Sequence, residues 1–271
     1  MNKLQLTGIY IYPIKSCSGI SLQSSEVEDR GLKYDRRWMI VDENGTFLTQ
    51  RDHPQMTKIK ISLLDEGLLA TDKLTKSSVK IPFDFKGEKI KVKIWGDVCL
   101  ARVFNNTVNL WFSDVLKINC KLVFMPDDEK RIADRNYVED ERLVSFADAY
   151  PFLIVGQSSL DDLNQKLDSP VPVDRFRPNF VFSGGEPFCE DNLKNFKIGN
   201  VNFRSVKPCS RCVIVTTDQM TAERFDEPLK TLSTYRKKGN KVYFGQNLIS
   251  LNKGIVRVGD EIILTDNHSL E

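Results

Sequence analysis

Histidine is almost absent from this 271-residue chain, which contains only His53 and His268. A catalytic triad that depends on histidine, or a histidine-rich metal site, therefore has too few residues to form. No second cysteine pair accompanies Cys209 and Cys212 at zinc-finger spacing, so a structural zinc site also lacks ligands. The six cysteines offer no spacing suited to an iron–sulfur cluster.

Other common signatures are missing as well. No apolar run approaches the ~18 residues of a membrane-spanning helix, and residues 1–15 lack the apolar core of a secretory signal. We therefore expect reduced thiols and a cytoplasmic location. There is no Walker-type loop and no glycine-rich dinucleotide fingerprint after a strand. With 39 basic and 37 acidic residues, the charge balance also argues against a nucleic-acid partner.

The fold class is predicted to be mainly β with a few helices. Short segments rich in β-branched and aromatic residues are bounded by Gly, Pro, Asn or Asp. The predicted strands are 4–14, 38–42, 58–64, 78–83, 89–95, 120–125, 152–155, 179–183, 201–206, 213–217, 241–251 and 255–264. Segment 89–95 alternates strictly, which assigns Ile90, Val92 and Ile94 to a buried face and three lysines to solvent.

Three helices are predicted. Asn106 or Thr107 is expected to cap the first, Ser158 or Ser159 the second, and Pro228 to open the third. The positions assigned to the core are Leu110, Trp111, Val115, Leu116, Leu160, Leu163, Leu167, Leu229, Leu232 and Tyr235. Many short strands with few helices favour closed or partly closed barrels.

A charged, proline-containing stretch at 125–131 suggests a domain boundary. We expect an N-terminal lobe over residues 1–125 and a second lobe over residues 126–271.

Cys209 and Cys212 stand between basic residues and the predicted strand 213–217. Positive charge from Arg211 and Lys207 favours the thiolate, which is the form that attacks substrates and binds metals. A redox dithiol pair of this spacing usually opens a helix after a strand, whereas this pair precedes a predicted strand. The residues alone leave a metal ligand, a nucleophile and a dithiol open.

Basic residues in polar company stand at the ends of predicted strands. Lys15 and Ser16 follow the first strand, Arg36 precedes the second, and Arg177 and Asn179 precede a later one. Strand ends lead into loops, where ligand-binding groups gather on a rigid scaffold. Such donors suit an anionic phosphate or a polar heterocycle.

Seven segments together resemble a known family. They are 12–19, 35–38, 146–152, 174–179, 208–212, 227–232 and 244–247, and their order and spacing extend over residues 4–264. The chain resembles MOSC-domain proteins, most of all the molybdenum-cofactor N-reductases of the bacterial YcbX type and the mitochondrial amidoxime-reducing component. The resemblance implies an N-terminal β-barrel-like MOSC domain, a MOSC-type β-barrel core and a molybdopterin cofactor between them.

The resemblance also assigns roles to residues. Cys212 matches the position of the molybdenum ligand and catalytic thiolate, with Cys209 only a neighbour. The positions that match cofactor-binding residues are Lys15, Ser16, Arg36, Arg177, Asn179, Ser210 and Arg211. Arg37 is the less favoured of the two adjacent arginines. Segment 148–150 matches bacterial members rather than mitochondrial ones, which carry small hydroxyl residues there.

The function that the resemblance implies is reduction of N-hydroxylated compounds, such as hydroxylamino-purines or amidoximes, by a molybdenum-cofactor oxidoreductase. The expected partners are a small N-hydroxylated substrate and a separate flavin or iron–sulfur electron donor, with no membrane span. A sulfur-carrier module with a persulfide on Cys212 is the alternative, because MOSC domains also occur in cofactor sulfurases. A cofactor-binding module without turnover is a third reading.

Overall fold

The computed structural model describes residues 3–138 and 140–265, so His268 lies outside the described residues. These residues form a mainly β protein with a few helices, which confirms the predicted fold class. The strands are β1 (Gln5–Ile11), β2 (Ile20–Leu22), β3 (Ser24–Glu28), β4 (Gly31–Leu32), β5 (Trp38–Asp42), β6 (Ile59–Leu64), β7 (Gly67–Asp72), β8 (Ser78–Pro82), β9 (Lys89–Ile94), β10 (Asp97–Val103), β11 (Cys120–Phe124), β12 (Phe152–Gly156), β13 (Phe180–Ser183), β14 (Asn195–Ile198), β15 (Val201–Arg211), β16 (Lys237–Lys238), β17 (Lys241–Ser250), β18 (Gly254–Arg257) and β19 (Ile262–Leu264). The α-helices are α1 (Asn106–Leu116), α2 (Gln157–Asn164) and α3 (Leu229–Tyr235), and 3₁₀ helices lie at Pro54–Lys58, Val173–Arg175, Cys189–Asn192 and Val213–Thr216.

The largest sheet has nine strands in the order β19-β14-β15-β17-β12-β13-β1-β2, with β16 paired to β17. Strands β12 and β13 run parallel, whereas the other pairs of this sheet are antiparallel. Smaller sheets have the orders β5-β11-β10-β9, β18-β3-β4 and β6-β7-β8. The first strand of the chain is thus built into the same sheet as the later strands.

The burial of the strands follows their sequence patterns. In β9, Val92 and Ile94 are fully buried and the three lysines are exposed, so the predicted alternation is confirmed. Strand β12 is apolar throughout and buried at every position, as expected of a central strand covered on both faces.

The prediction of a strand at 213–217 is wrong. Strand β15 runs up to Arg211, and residues Val213–Thr216 form a 3₁₀ helix. Their β-branched side chains favour a strand by propensity. Tertiary packing decides instead, because Val215 and Thr216 are buried while Val213 is exposed. Cys212 therefore follows a strand.

The predicted helices exist, but their caps and some of their core positions differ. Asn105 caps α1 by accepting a hydrogen bond from the Val108 amide, and Gly156 is the N-cap of α2. Pro228 precedes α3, as its favourable first-turn chemistry indicates. Leu110 is 68% exposed and Tyr235 is 36% exposed, so their assignment to the core is wrong.

The packing of the core crosses the predicted boundary after residue 125. One cluster, which joins Trp38 and Phe112 with the β6-β7-β8 sheet, lies on the N-terminal side of that boundary. A second cluster joins Leu6, from β1, with Phe180 and Phe203 in the large sheet. The division into residues 1–125 and 126–271 stays a prediction.

Candidate functional site

One cavity of about 340 Å³ brings together all eight residues that the sequence singled out for a cofactor or metal. Its walls come from the chain after β1, from the segments before β5, β12 and β13, and from the end of β15. The eight residues are Lys15, Ser16, Arg36, Arg177, Asn179, Ser210, Arg211 and Cys212. Their convergence, which spacing alone could not establish, is a property of the fold.

The cavity wall is strongly cationic. Among the described residues, Asp148 is the one acidic residue that lines it. The basic residues that line it are Lys15, Arg36, Arg51, Arg175, Arg177, Lys207 and Arg211. Three of them form ion pairs with acids that do not line the cavity. The pairs are Arg36 with Asp35, Arg175 with Asp218, and Lys207 with Asp134. The remaining positive charge suits an anionic ligand.

Cys212 lies where β15 ends and the chain turns from an extended backbone into the 3₁₀ helix. Its side chain is half-buried. The register of β15 against β17 shifts between Pro208 and Ser210, so Cys209 sits in a bulge. Because a bulge re-aims the side chains around it, Cys209 and Cys212 both line the cavity.

Arg51, from the loop after β5, is the direct polar neighbour of Cys212. Burial lowers the pKa of Arg51, but the charge of Asp148 and the nearby Cys212 side chain outweigh this effect, so the pKa is raised overall. Arg51 therefore stays a cation beside the sulfur. Cys17 is fully buried, and this burial raises the pKa of its thiol to about 12.

Arg36 and Arg177 are held in place by one aromatic ring. The guanidinium carbon of each lies 4.2 Å from the centroid of Tyr12, a cation–π distance. Asp35 adds to this arrangement, since it accepts hydrogen bonds from the Tyr12 amide (2.7 Å) and from Arg36 (2.6 Å). Two positive charges are thereby fixed before any ligand arrives.

Three of the lining residues have a left-handed backbone, which non-glycine residues rarely adopt. The φ angles are +68° at Ser16, +50° at Arg36 and +52° at Arg177. Each such residue costs on the order of 1–3 kcal/mol and persists only where its surroundings fix it. Strain gathered around one cavity is typical of a functional site.

A small ion cluster forms one side of the cavity. Asp148 accepts hydrogen bonds from Lys15 and, at 3.1 Å, from Arg51. Desolvation raises the pKa of Asp148, but the charges of Lys15 and Arg51 outweigh it and hold the pKa well below its ordinary value. Lys15 is buried, and this burial lowers its pKa to about 8 against the opposing effect of Asp148. At neutral pH the cluster carries a net positive charge.

Asn179 and Arg211 use most of their polar atoms in hydrogen bonds to other parts of the protein. Asn179 accepts from the Leu153 amide and from Arg36, and donates to the Tyr10 carbonyl. Arg211 donates to the carbonyls of Phe244 and Phe176. Its Nη2 is buried without a partner among the described residues.

Arg37 points away from this cavity. Its guanidinium donates to the Met125 carbonyl and to Asp127, both at 2.6 Å, and lines a different cavity. This agrees with the lower rank that the sequence analysis gave it.

Sequence reasoning missed Arg51 and Arg175 as lining residues. Arg51 belongs to a polar loop without a distinctive local pattern. Arg175 lies in a 3₁₀ turn within segment 174–179, where the resemblance favoured Arg177 instead. The basic residue Arg131, also unremarked, positions the wall by donating to the carbonyls of Ser145 and Ala147. Only spatial neighbourhood identifies these residues.

The donor chemistry of the cavity suits a metal that arrives with its own anionic organic ligand. Two half-buried thiols, Cys209 and Cys212, offer soft donors, and the cations and the unpartnered Nη2 of Arg211 supply hydrogen bonds to oxygen. Over residues 3–138 and 140–265, no group of three or more His, Cys, Asp or Glu side chains could hold a metal ion.

Across the same part of the chain, no helix has the length and apolarity needed to span a membrane.

Comparison with known proteins gives two domain matches. Residues 3–119 match the MOSC N-terminal beta barrel domain, and residues 141–263 match the MOSC domain. The molybdenum cofactor sulfurase of Oryza sativa subsp. japonica is 32% identical over 90% of this chain, which spans 32% of that protein. Mitochondrial amidoxime-reducing component 1 of Mus musculus is 32% identical and that of Homo sapiens 30%. Each alignment covers 94% of this chain and 81% of the relative.

The domain matches and the coverage of the amidoxime-reducing relatives confirm the resemblance that the seven segments indicated. The mainly β architecture agrees with the matched barrel domain. The chain belongs to the MOSC-domain family, with an N-terminal MOSC beta barrel domain followed by a MOSC domain.

Proposed function

We propose that the protein is a molybdenum-cofactor-dependent reductase of N-hydroxylated compounds, with Cys212 as the metal ligand. The observation that carries the proposal is the cavity that Cys212 lines together with seven cationic side chains and one carboxylate, counted over the described residues. Relatives named for amidoxime reduction, aligned over 81% of their length, support it.

The residues present fit the cofactor. Lys15, Arg36 and Arg177 would bind its phosphate, since all three are cations with restricted side chains. Arg211 would add the free Nη2 donor, and the Cys212 sulfur would bind the metal. Ser210 and Asn179 would line the heterocycle.

When bound, the cofactor would supply the two-electron chemistry that breaks an N–O bond. The overall change is balanced: R–NH–OH, two electrons and two protons give R–NH₂ and water. The protein's part is electrostatic, because Arg51 would stabilise negative charge near Cys212 and Lys15 would stabilise it at the phosphate. Asp148 holds both cations in position through hydrogen bonds.

Three further assignments belong to this proposal. Electrons would come from a separate flavin or iron–sulfur protein. The domains would be residues 1–125 and 126–271. The location would be cytoplasmic, in keeping with six free thiols, all of which lie within the described residues.

The test is elemental and pterin analysis of protein produced in a host that makes the cofactor, combined with 6-hydroxylaminopurine reduction by reduced methyl viologen. We expect about one molybdenum and one pterin per chain, and adenine as product. Protein from a host that cannot make the cofactor is the control and should be inactive. Absence of molybdenum from protein made in the competent host would overturn the proposal.

A persulfide carrier is the second candidate. It is favoured by the half-buried Cys212 side chain beside Arg51, where an added sulfur atom would meet a cation. The plant sulfurase relative supports the same function. Mass spectrometry after incubation with a cysteine desulfurase and cysteine separates the candidates, because a carrier gains a sulfur atom on Cys212 and a reductase does not.

A further inference from the structure

A second basic surface lies directly beside the Cys212 cavity. It is lined by Lys207, Arg236, Lys237, Lys238 and Lys241, together with three tyrosines. We call these five basic residues the hairpin patch. Lys207 and Ser210 line both this surface and the Cys212 cavity, so the two share a wall.

The shared wall is thin. Ser210 and Cys212 are separated by one residue at the end of β15. Since an extended chain rises about 3.3 Å per residue, the two Cα atoms lie roughly 7 Å apart. A molecule seated on the hairpin patch would therefore lie close to the sulfur of Cys212.

Much of the charge on the hairpin patch is not neutralised. Lys207 pairs with Asp134 at 2.9 Å, and Arg236 pairs with Asp191 at 2.6 Å. Lys237, Lys238 and Lys241 are exposed. These three have no ion-pair partner among the described residues.

The placement of these lysines is electrostatically unfavourable. Lys238 and Lys241 are direct partners across the β16–β17 pair, flanking the tight turn at Gly239. Like charges directly opposite each other destabilise a strand pair. Lysines on an edge strand also discourage aggregation, but that role does not require a surface continuous with the cavity.

We propose that the hairpin patch is the docking surface for an acidic electron-transfer protein that reduces the site at Cys212. The proposal rests on the proposed reductase function. Complementary charge would speed the encounter, and the shared wall would bring the donor close to the site. Two one-electron donors become oxidised per turnover, and their electrons with two protons convert R–NH–OH into R–NH₂ and water.

The test compares two reductants with the holoprotein. One is a reduced acidic [2Fe–2S] ferredoxin, and the other is reduced methyl viologen, a small cation. The variant carries Lys237→Glu, Lys238→Glu and Lys241→Glu. The control carries Lys60→Glu, Lys80→Glu and Lys86→Glu, three exposed lysines that line neither the Cys212 cavity nor the hairpin patch.

We expect the hairpin variant to lower kcat/KM for ferredoxin by at least ~10-fold at low ionic strength, and the loss to shrink as salt is added. The rate with methyl viologen should stay within about twofold, and the control variant should match the wild type with both reductants. An unchanged ferredoxin rate, or an equal loss in the control, would overturn the docking proposal. Inactivity of the wild-type holoprotein with methyl viologen would instead overturn the reductase function.

Discussion

Arg36 and Arg37 are neighbours in the chain but line different cavities. The Arg37 cavity is the larger, at about 490 Å³ against about 340 Å³. Its charges balance, with Arg30, Arg37 and Lys253 against three acids, and its wall includes Tyr34, Trp38, Phe83 and Phe124. The Arg36 cavity has excess positive charge, a half-buried thiol and three strained residues. Uncompensated charge and strain, and not size, therefore distinguish the cavity that we propose as the functional site.

The largest expected effect separates the two thiols within the Arg36 cavity. If the proposed function holds, replacing Cys212 with Ser should lower N-hydroxy reduction by at least ~1000-fold, because the proposed soft metal ligand is lost. Cys209→Ser is the matched control and should retain activity within about threefold, because the side-chain hydrogen bond that Cys209 makes among the described residues is a long one, to the adjacent Ser210 carbonyl. Steady-state reduction of 6-hydroxylaminopurine checks both. A fully active Cys212→Ser variant would refute the ligand assignment.

The Arg37 cavity should respond in stability rather than in cofactor content. Trp38 is 1% exposed and contacts three aromatic rings, so Trp38→Ala should lower the free energy of unfolding by roughly 3–5 kcal/mol. Trp95→Ala removes a tryptophan that is 51% exposed and should cost less than ~1.5 kcal/mol. Urea unfolding of both variants measures the difference. Equal losses would mean that Trp38 is not a packing residue.

The two arginines give the sharpest comparison. Arg36→Gln should weaken cofactor retention by about 10-fold to 100-fold, since a charge-assisted hydrogen bond contributes roughly 1.5–3 kcal/mol. Arg37→Gln should leave pterin content per folded molecule unchanged, because Arg37 binds Met125 and Asp127 instead. Pterin fluorescence after purification gives the result, with a thermal unfolding curve to confirm folding. Equal cofactor loss in both variants would contradict the distinction.

The smallest expected effect is on pH dependence. Burial lowers the pKa of Lys15 to about 8, so its positive charge is present below pH 8 and lost above it. Phosphate binding to cofactor-free protein should therefore weaken by about fivefold between pH 7 and pH 9, a loss of ~1 kcal/mol. Calorimetric titration at several pH values measures it. The Lys15→Gln variant should bind phosphate weakly, and its affinity should not fall between pH 7 and pH 9. If its affinity falls as much as that of the wild type, Lys15 is not the cause of the pH dependence.

Local signals predicted much of the fold. The alternation in β9 and the apolar run in β12 have a clear periodicity, and both strands form where the pattern placed them. The strand prediction for 213–217 was wrong because β-branched side chains also pack well in a buried 3₁₀ turn. The assignment of Leu110 to the core was wrong because helix α1 packs a different face, with Val108 and Phe112, against the core.

Some residues of the candidate site could likewise be predicted from the sequence, and others could not. Lys15, Arg36 and Cys212 stand in segments whose order along the chain resembles a family, and the fold brings them to one cavity. Arg51 has no such signal, because its role depends on Asp148 and Cys212, residues about 100 and 160 positions away. The continuity of the hairpin patch with the cavity is likewise visible only in three dimensions.

The amino-acid sequence by itself determined the mainly β character, the shortage of histidine ligands, the family and the identity of the candidate thiol. The first two follow from composition and periodicity, and the last two from the resemblance of seven segments to a known family. The tertiary structure decided which arginine faces the cavity, which cation lies against Cys212 and which lysines remain unpaired. Those outcomes depend on contacts between distant segments, and on the energetic balance of burial, strain and charge that only the folded chain establishes.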